Sequence, residues 1–439
     1  MSLLALLTEH PVADDEALVH TVEESLTRGE VVERVRASAA AIDAGPGQPV
    51  PVVADGLAAL IAMFGCWMAG AVYVPVNPRQ PQSAIDDAIA RTTGPLPPDT
   101  AFVLWTSGTT GRPKPVQHTH DAYLELIDRV LGPLRGKGRD PAQPPSPNLI
   151  PVSMALNAGI YNALFGLRAG APLVMMDRFE TGDFATLVGR HQIRSTVLPP
   201  AAMAMLSDDT SVESLAPLRY VRSITAPLSP FQARRFTDRF GVTVLNGYGQ
   251  VETGEVIGWT AADARTHPDK VGAVGRPHVG VDIRIDHPDD QAVGELLVRP
   301  PNTATDLSPE RLTADGFVHT GDLAHIDDEG FVWIEGRMSD LINRGGNKVY
   351  PEEVEEVLRS VPGVREAAVV AAPDDRLGEV PVAFVAGDDA GHDLDEACRS
   401  HLVPYKVPVR FEWVDHLPRN NAGKVRRAEL QALAVADQP

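Results

Sequence analysis

Cysteine occurs twice in the 439 residues, at Cys66 and Cys398. Two thiols build no disulfide framework, and the 13 histidines show no HExxH or CxxC-type spacing that would hold zinc. A reducing cytoplasm is the expected setting. Positive charge is also scarce: 39 Lys and Arg face 59 Asp and Glu, for a net charge of −20. A field of that sign repels nucleic acid and anionic lipid, so neither is expected as a partner. Any polyanionic ligand must instead meet local positive groups. Only one long uncharged run stands out, Leu57–Val76. It has spanning length, but Gly65, Gly70 and Pro75 punctuate it, so it reads as a buried helix, a turn and a core strand. No membrane insertion is expected. The opening MSLLALLTEHP lacks a basic leader and argues against a signal peptide. Gly-X-Y periodicity is absent too, which excludes collagen.

What is present is ordinary globular material: 44% apolar and 22% charged residues, enough for two or three domains. Core-strand patterns fall at Val50–Ala54, Ala101–Trp105, Asn148–Val152, Ala171–Met176, Ser195–Leu198 and Val242–Leu245, with helical patterns such as Ser229–Phe240 between several of them. The alternation predicts an α/β fold with largely parallel sheets. Beyond about residue 280 the strands shorten, at Ile283–Ile285, Glu295–Arg299 and Phe317–His319, and His325–Glu335 reads as a hairpin turning at residues 328–330. A β-rich subdomain is expected there. PEEVEEVLR (Pro351–Arg359) then has the marks of a short helix: proline in the first turn, acids at its positive end, and one apolar face. Strand-like Ala367–Ala371, Val380–Val385 and Arg410–Trp413 follow, with helical Asp393–Leu402 among them. The chain therefore divides into 1–338, packed sheets with flanking helices, and 339–439, a small α+β unit.

The strand AFVLW runs into Thr106-Ser107-Gly108-Thr109-Thr110-Gly111-Arg112-Pro113-Lys114. Glycines let backbone N–H groups approach phosphate oxygens, hydroxyls add donors, and Arg112 and Lys114 supply charge. The pattern is not a Walker motif. This segment resembles the phosphate loop of the adenylate-forming superfamily, which includes acyl- and aryl-CoA synthetases, luciferases and peptide-synthetase adenylation domains. Asn246–Thr253 (NGYGQVET), His319–Asp340 (HTGDLAHIDDEGFVWIEGRMSD) and Leu417–Arg426 (LPRNNAGKVR) resemble further motifs of that family in the same order. The likeness runs from about residue 50 to 430.

The resemblance implies ATP-dependent activation of a carboxylic acid to an acyl-adenylate, with release of pyrophosphate. Transfer to a thiol follows, most readily that of CoA. Alternatives are a carrier-protein thiol or nitrogen nucleophile as acceptor, or a degenerate chain that binds nucleotide without turnover. The implied catalytic residues are Lys424, Glu252 and Arg337, with Glu252 as the Mg²⁺ ligand. Nucleotide contacts are implied for the phosphate loop with Lys114, for Ala226 and Pro227, for Asn246, Gly247, Tyr248 and Gly249, and for Asp322 and Arg337. Tyr248 is implied to stack on adenine and Asp322 to accept ribose hydroxyls. The acid pocket is expected at Met154, Asn157, Gly159 and Thr225. Ser339 occupies the hinge position, about which a mobile C-terminal domain would bring first Lys424 and then the Gly345-Gly346 loop to the site.

Four positions depart from the family pattern. Val251 stands where a threonine is usual, which removes one hydrogen-bonding group. Pro115 replaces a glycine and stiffens the loop's exit. Ile224-Thr225 replace adenine-binding glycines. About thirty residues separate VYVPVNP from the phosphate loop, fewer than in the family, so part of the N-terminal sheet is expected to be trimmed.

Overall fold

The computed structural model describes residues 2–97, 99–107, 113–134, 145–290, 292–304, 307–388, 391, 393–419 and 424–436. Among them four sheets form an α/β architecture. The largest has nine strands, in spatial order 276–277, 254–258, 243–250, 220–223, 195–198, 148–150, 173–175, 17–20 and 25–27. Its six middle strands, from Thr243–Gln250 to Ala17–His20, pair in parallel. Antiparallel strands close both ends. A parallel sheet must be covered on both faces. One apolar cluster here includes Phe64, Tyr123 and Ile160; another includes Phe184, Leu206 and Phe236.

The uncharged run 57–76 folds as its punctuation requires. Asp55 caps the helix Gly56–Met68, Gly70 turns at φ +76°, and Val72–Val76 is a wholly buried strand. No helix among the described residues is long and apolar enough to cross a membrane. The strand belongs to a four-stranded sheet, in order 49–53, 72–76, 100–107 and 113–119. The last two strands form an antiparallel hairpin in which Thr106 faces Lys114 and Ser107 faces Pro113. Residues 108–112, the tip of the expected phosphate loop, lie outside the described residues. Pro113 and Pro115 are tolerated because Pro113–Thr119 is an edge strand.

The region after residue 280 is an antiparallel four-stranded sheet of Asp282–Asp286, Gly294–Arg299, Val318–Ile326 and Val332–Arg337. The short pattern read at Phe317–His319 is the start of a nine-residue strand that carries the TGD segment. From Ile342 onward a five-stranded sheet has its own two cores. Along Val364–Asp374, Ala367 and Val369 enter one core while Ala368, Val370 and Ala372 enter the other, the period of two of a strand buried on both faces. The helix Pro351–Arg359 covers the first face and Arg427–Ala436 the second. Both cysteines are free and buried.

Candidate active site

Asp322 lies on the strand Val318–Ile326, directly opposite Arg337 in the antiparallel register. It is 4% exposed. Its Oδ1 pairs with Arg337 Nε at 2.6 Å. Its Oδ2 accepts from the Tyr248 hydroxyl and from Gln250 Nε2 at 3.0 Å. Burial pushes the Asp322 carboxyl upward, opposed by Arg337, Tyr248, Gln250 and Lys424. Burial and the Asp322 charge hold the Tyr248 phenol well above its ordinary value, so it stays a donor. A carboxylate has about four lone-pair sites. Three internal donors leave about one of these sites free.

Tyr248 and Gln250 share one face of the strand Thr243–Gln250, two residues apart. Glu252 follows. Its Oε1 pairs with Arg311 Nη1 at 2.7 Å, and the other Arg311 nitrogen donates to Gln250 Oε1 at 2.7 Å and to the His319 carbonyl at 2.9 Å. Gln250 and Arg311 were not found by sequence reasoning. For Gln250 the two-residue spacing from Tyr248 was a usable signal. Arg311 sits in a short Pro-initiated turn that carries no motif.

Lys424 belongs to the C-terminal unit, yet it lies close enough to Arg337, Asp322 and Glu252 for their charges to act on it. The residue as a whole is exposed while its ammonium sits among protein atoms of the cleft. That desolvation and the Arg337 guanidinium draw its pKa down, against the pull of Asp322 and Glu252. Two cations and two anions from three motifs thus converge across the two units.

The remaining expected residues are placed as follows. Thr106 and Ser107 end one strand of the hairpin and Lys114 begins its return; Gly108, Thr109, Thr110, Gly111 and Arg112 lie outside the described residues. Ala226 and Pro227 follow the strand Tyr220–Ser223, just beyond Thr225, whose φ is +78°. Asn246 accepts from the Gly247 N–H at 3.0 Å. Gly249 is a position of close backbone approach, where a Cβ would meet the Gly254 carbonyl oxygen at 2.1 Å. Met154 is fully buried, and its N–H donates to Asp55 at 2.7 Å. A Cβ on Gly159 would strike the Ser153 carbonyl at 2.2 Å, so that glycine serves packing. Asn157 is half-buried and accepts from the Tyr123 hydroxyl at 2.7 Å. Ser339 lies in a single turn, Met338–Asp340, and bonds to Asp340 at 2.9 Å. Gly345 and Gly346, at φ +58° and +91°, make the two-residue turn between Ile342–Arg344 and Asn347–Val349.

Among the described residues no cluster of three His, Cys, Asp or Glu side chains could hold a metal. A magnesium ion carried by nucleotide phosphates needs only one or two carboxylates, and Glu252 fits that use.

The family model described as AMP-binding enzyme matches residues 7–94 and 90–306, and that of the AMP-binding enzyme C-terminal domain matches residues 353–424. A sulfoacetate–CoA ligase of Cupriavidus necator is 33% identical over 370 residues, covering 79% of this chain and 70% of that protein. An indoleacetate–CoA ligase of Aromatoleum aromaticum is 33% identical over 380 residues, covering 80% and 70%. The ATP-bound structure of MatB from Rhodopseudomonas palustris superposes with a TM-score of 0.85 over 99% of both chains, at 24% identity, a likeness of fold.

Proposed function

Because the chain belongs to the AMP-binding enzyme family, we propose that it is an AMP-forming acid–thiol ligase, an acyl- or aryl-CoA synthetase. The observation that carries this reading is Lys424 held within electrostatic reach of Asp322, Arg337 and Glu252.

A carboxylate is a poor electrophile. Attack of its oxygen on the α-phosphorus of ATP expels pyrophosphate and makes AMP the leaving group. Two anions approach in that step, so fixed positive charge must stand where the negative charge gathers. Lys424 and Arg337 supply it locally in a chain of net charge −20. Asp322, anchored by Arg337, Tyr248 and Gln250, is a rigid acceptor for the ribose. Glu252 would hold a magnesium ion, whose chemistry is to neutralise phosphate charge; Arg311 orients that carboxylate. In the second step the sulfur of a thiol attacks the acyl carbon and AMP leaves with the bonding electron pair. CoA is the acceptor we assign, in keeping with the relatives' names.

The test is pyrophosphate release over aliphatic, aryl and amino acids, with and without CoA. Acid-dependent release and CoA-dependent thioester are the expected results. Release without thioester formation would move the acceptor to a carrier protein or an amine. No release with any acid would contradict the reading.

A further inference from the structure

The helix Asn157–Arg168 places Asn157, Tyr161 and Phe165 four residues apart, on one face. All three are half-buried, while Ala158, Ile160, Asn162 and Leu164 beside them are buried. Arg222, Ile224 and Val251, on or just after strands of the large sheet, are half-buried as well. Tyr161, Phe165, Ile224 and Val251 pack against the same apolar core. This part-exposed edge of the core runs between helix and sheet. It lies beside Thr225 and Asn157, at the carboxyl end of the strand Tyr220–Ser223, where open parallel sheets take ligands.

The charged groups that act on Tyr161 are paired with one another. Arg222 pairs with Glu255, which also accepts from His278 Nε2 at 2.9 Å. Gly258 makes room for this group, since a Cβ there would come within 2.5 Å of Glu255 Oε1 and 2.9 Å of Arg222 Nη1. Arg129 pairs with Glu125 at 2.6 Å. All four charges act on the Tyr161 hydroxyl. That hydroxyl is buried and has no hydrogen-bond partner. An unmet buried hydroxyl is costly, so a ligand that supplies a partner is favoured. With two cations matched by two anions, these groups offer no uncompensated charge to a second carboxylate.

We propose that Tyr161, backed by the Arg222–Glu255–His278 group, selects acids whose far end carries a neutral hydrogen-bonding oxygen, a hydroxyl or carbonyl, over plain alkyl acids and dianions. The inference rests on the ligase reading above. It sets this chain apart from the sulfoacetate ligase it resembles, whose named substrate carries a second anion.

The experiment compares kcat/KM for pyrophosphate release with matched alkyl, terminally hydroxylated or oxo, and dicarboxylic acids over a range of chain lengths. The full chain is used, with ATP and magnesium. The neutral oxygenated acid is expected to exceed its alkyl match by about tenfold, the scale of one hydrogen bond, and to exceed the diacid. Tyr161→Phe is expected to bring the oxygenated-to-alkyl ratio toward one. An alkyl acid or diacid preferred by the native chain, or a ratio unmoved in Tyr161→Phe, would overturn the proposal while leaving the ligase reading intact. No release with any acid would overturn both.

Discussion

Thr225 has φ +78°, a region that β-branched residues enter at a cost of about 1–3 kcal/mol. It stands where the family resemblance led one to expect glycine, for which that conformation is free of strain. Thr225→Gly is therefore expected to raise stability by about 1 kcal/mol after the added chain entropy of glycine is subtracted, read as a higher urea midpoint. A lower midpoint would mean that the threonine side chain contributes more than its backbone costs. Val251 has a different character. Its side chain packs, half-buried, against the core that holds Tyr123 and Ile160, so the missing hydroxyl is matched by apolar contact. These two departures were visible in the sequence, but their physical meaning was not: a φ angle and a packing partner are tertiary facts.

Elements were legible where one period ran cleanly. Pro351–Arg359, with its proline, acids and apolar stripe, forms over the range read from the sequence, and Ser195–Leu198 likewise. Pro113–Thr119 was missed because two prolines argue against a strand, and only its edge position reconciles them with pairing. Ala17–His20 and Ser25–Thr27 were missed because four- and three-residue strands carry too little pattern. In the site, motifs brought forward Asp322, Arg337, Glu252 and Lys424, whereas Arg311 became visible only through its partners. The element after Lys424 has a further role. Arg427, the first residue of the last helix, binds Asp340 at 3.1 Å, Glu355 at 2.7 Å and the Val369 carbonyl at 2.8 Å. It ties the lysine's loop to the segment just past Ser339. Arg427→Gln is expected to slow adenylation by about 10–100-fold through misplacement of Lys424, and to slow consumption of preformed adenylate less, with partial recovery in Arg427→Lys. Equal loss in both half-reactions would contradict a positioning role.

At the scale of the molecule, the C-terminal unit has cores of its own and, among the described residues, meets the larger body through a small cluster beside Lys424's contacts. Tyr350 packs with Val293 and Leu323, and Lys348 and Tyr350 both reach Asp289. Such a contact suits rotation about Ser339, the arrangement we propose for the two half-reactions. Near this junction Glu352 is held up to about 7 by burial and by Glu355, with Asp322 adding to the rise against Arg427 and Arg359. Its folded form keeps a proton that the unfolded chain releases near 4.5, so stability falls as pH rises across that window. Glu352→Gln is expected to match the native chain at about pH 4 and to melt higher at about pH 8; melting midpoints shifted equally at both would contradict it.

In a chain of net charge −20, the account turns on one cation, Lys424. ATP–pyrophosphate exchange in Lys424→Ala, run beside the consumption of preformed acyl-adenylate, tests the account most directly. Exchange is expected to fall by about 10²–10³, the scale of losing one transition-state donor, while preformed adenylate is still converted to thioester. Exchange at the native rate in the variant would contradict the account.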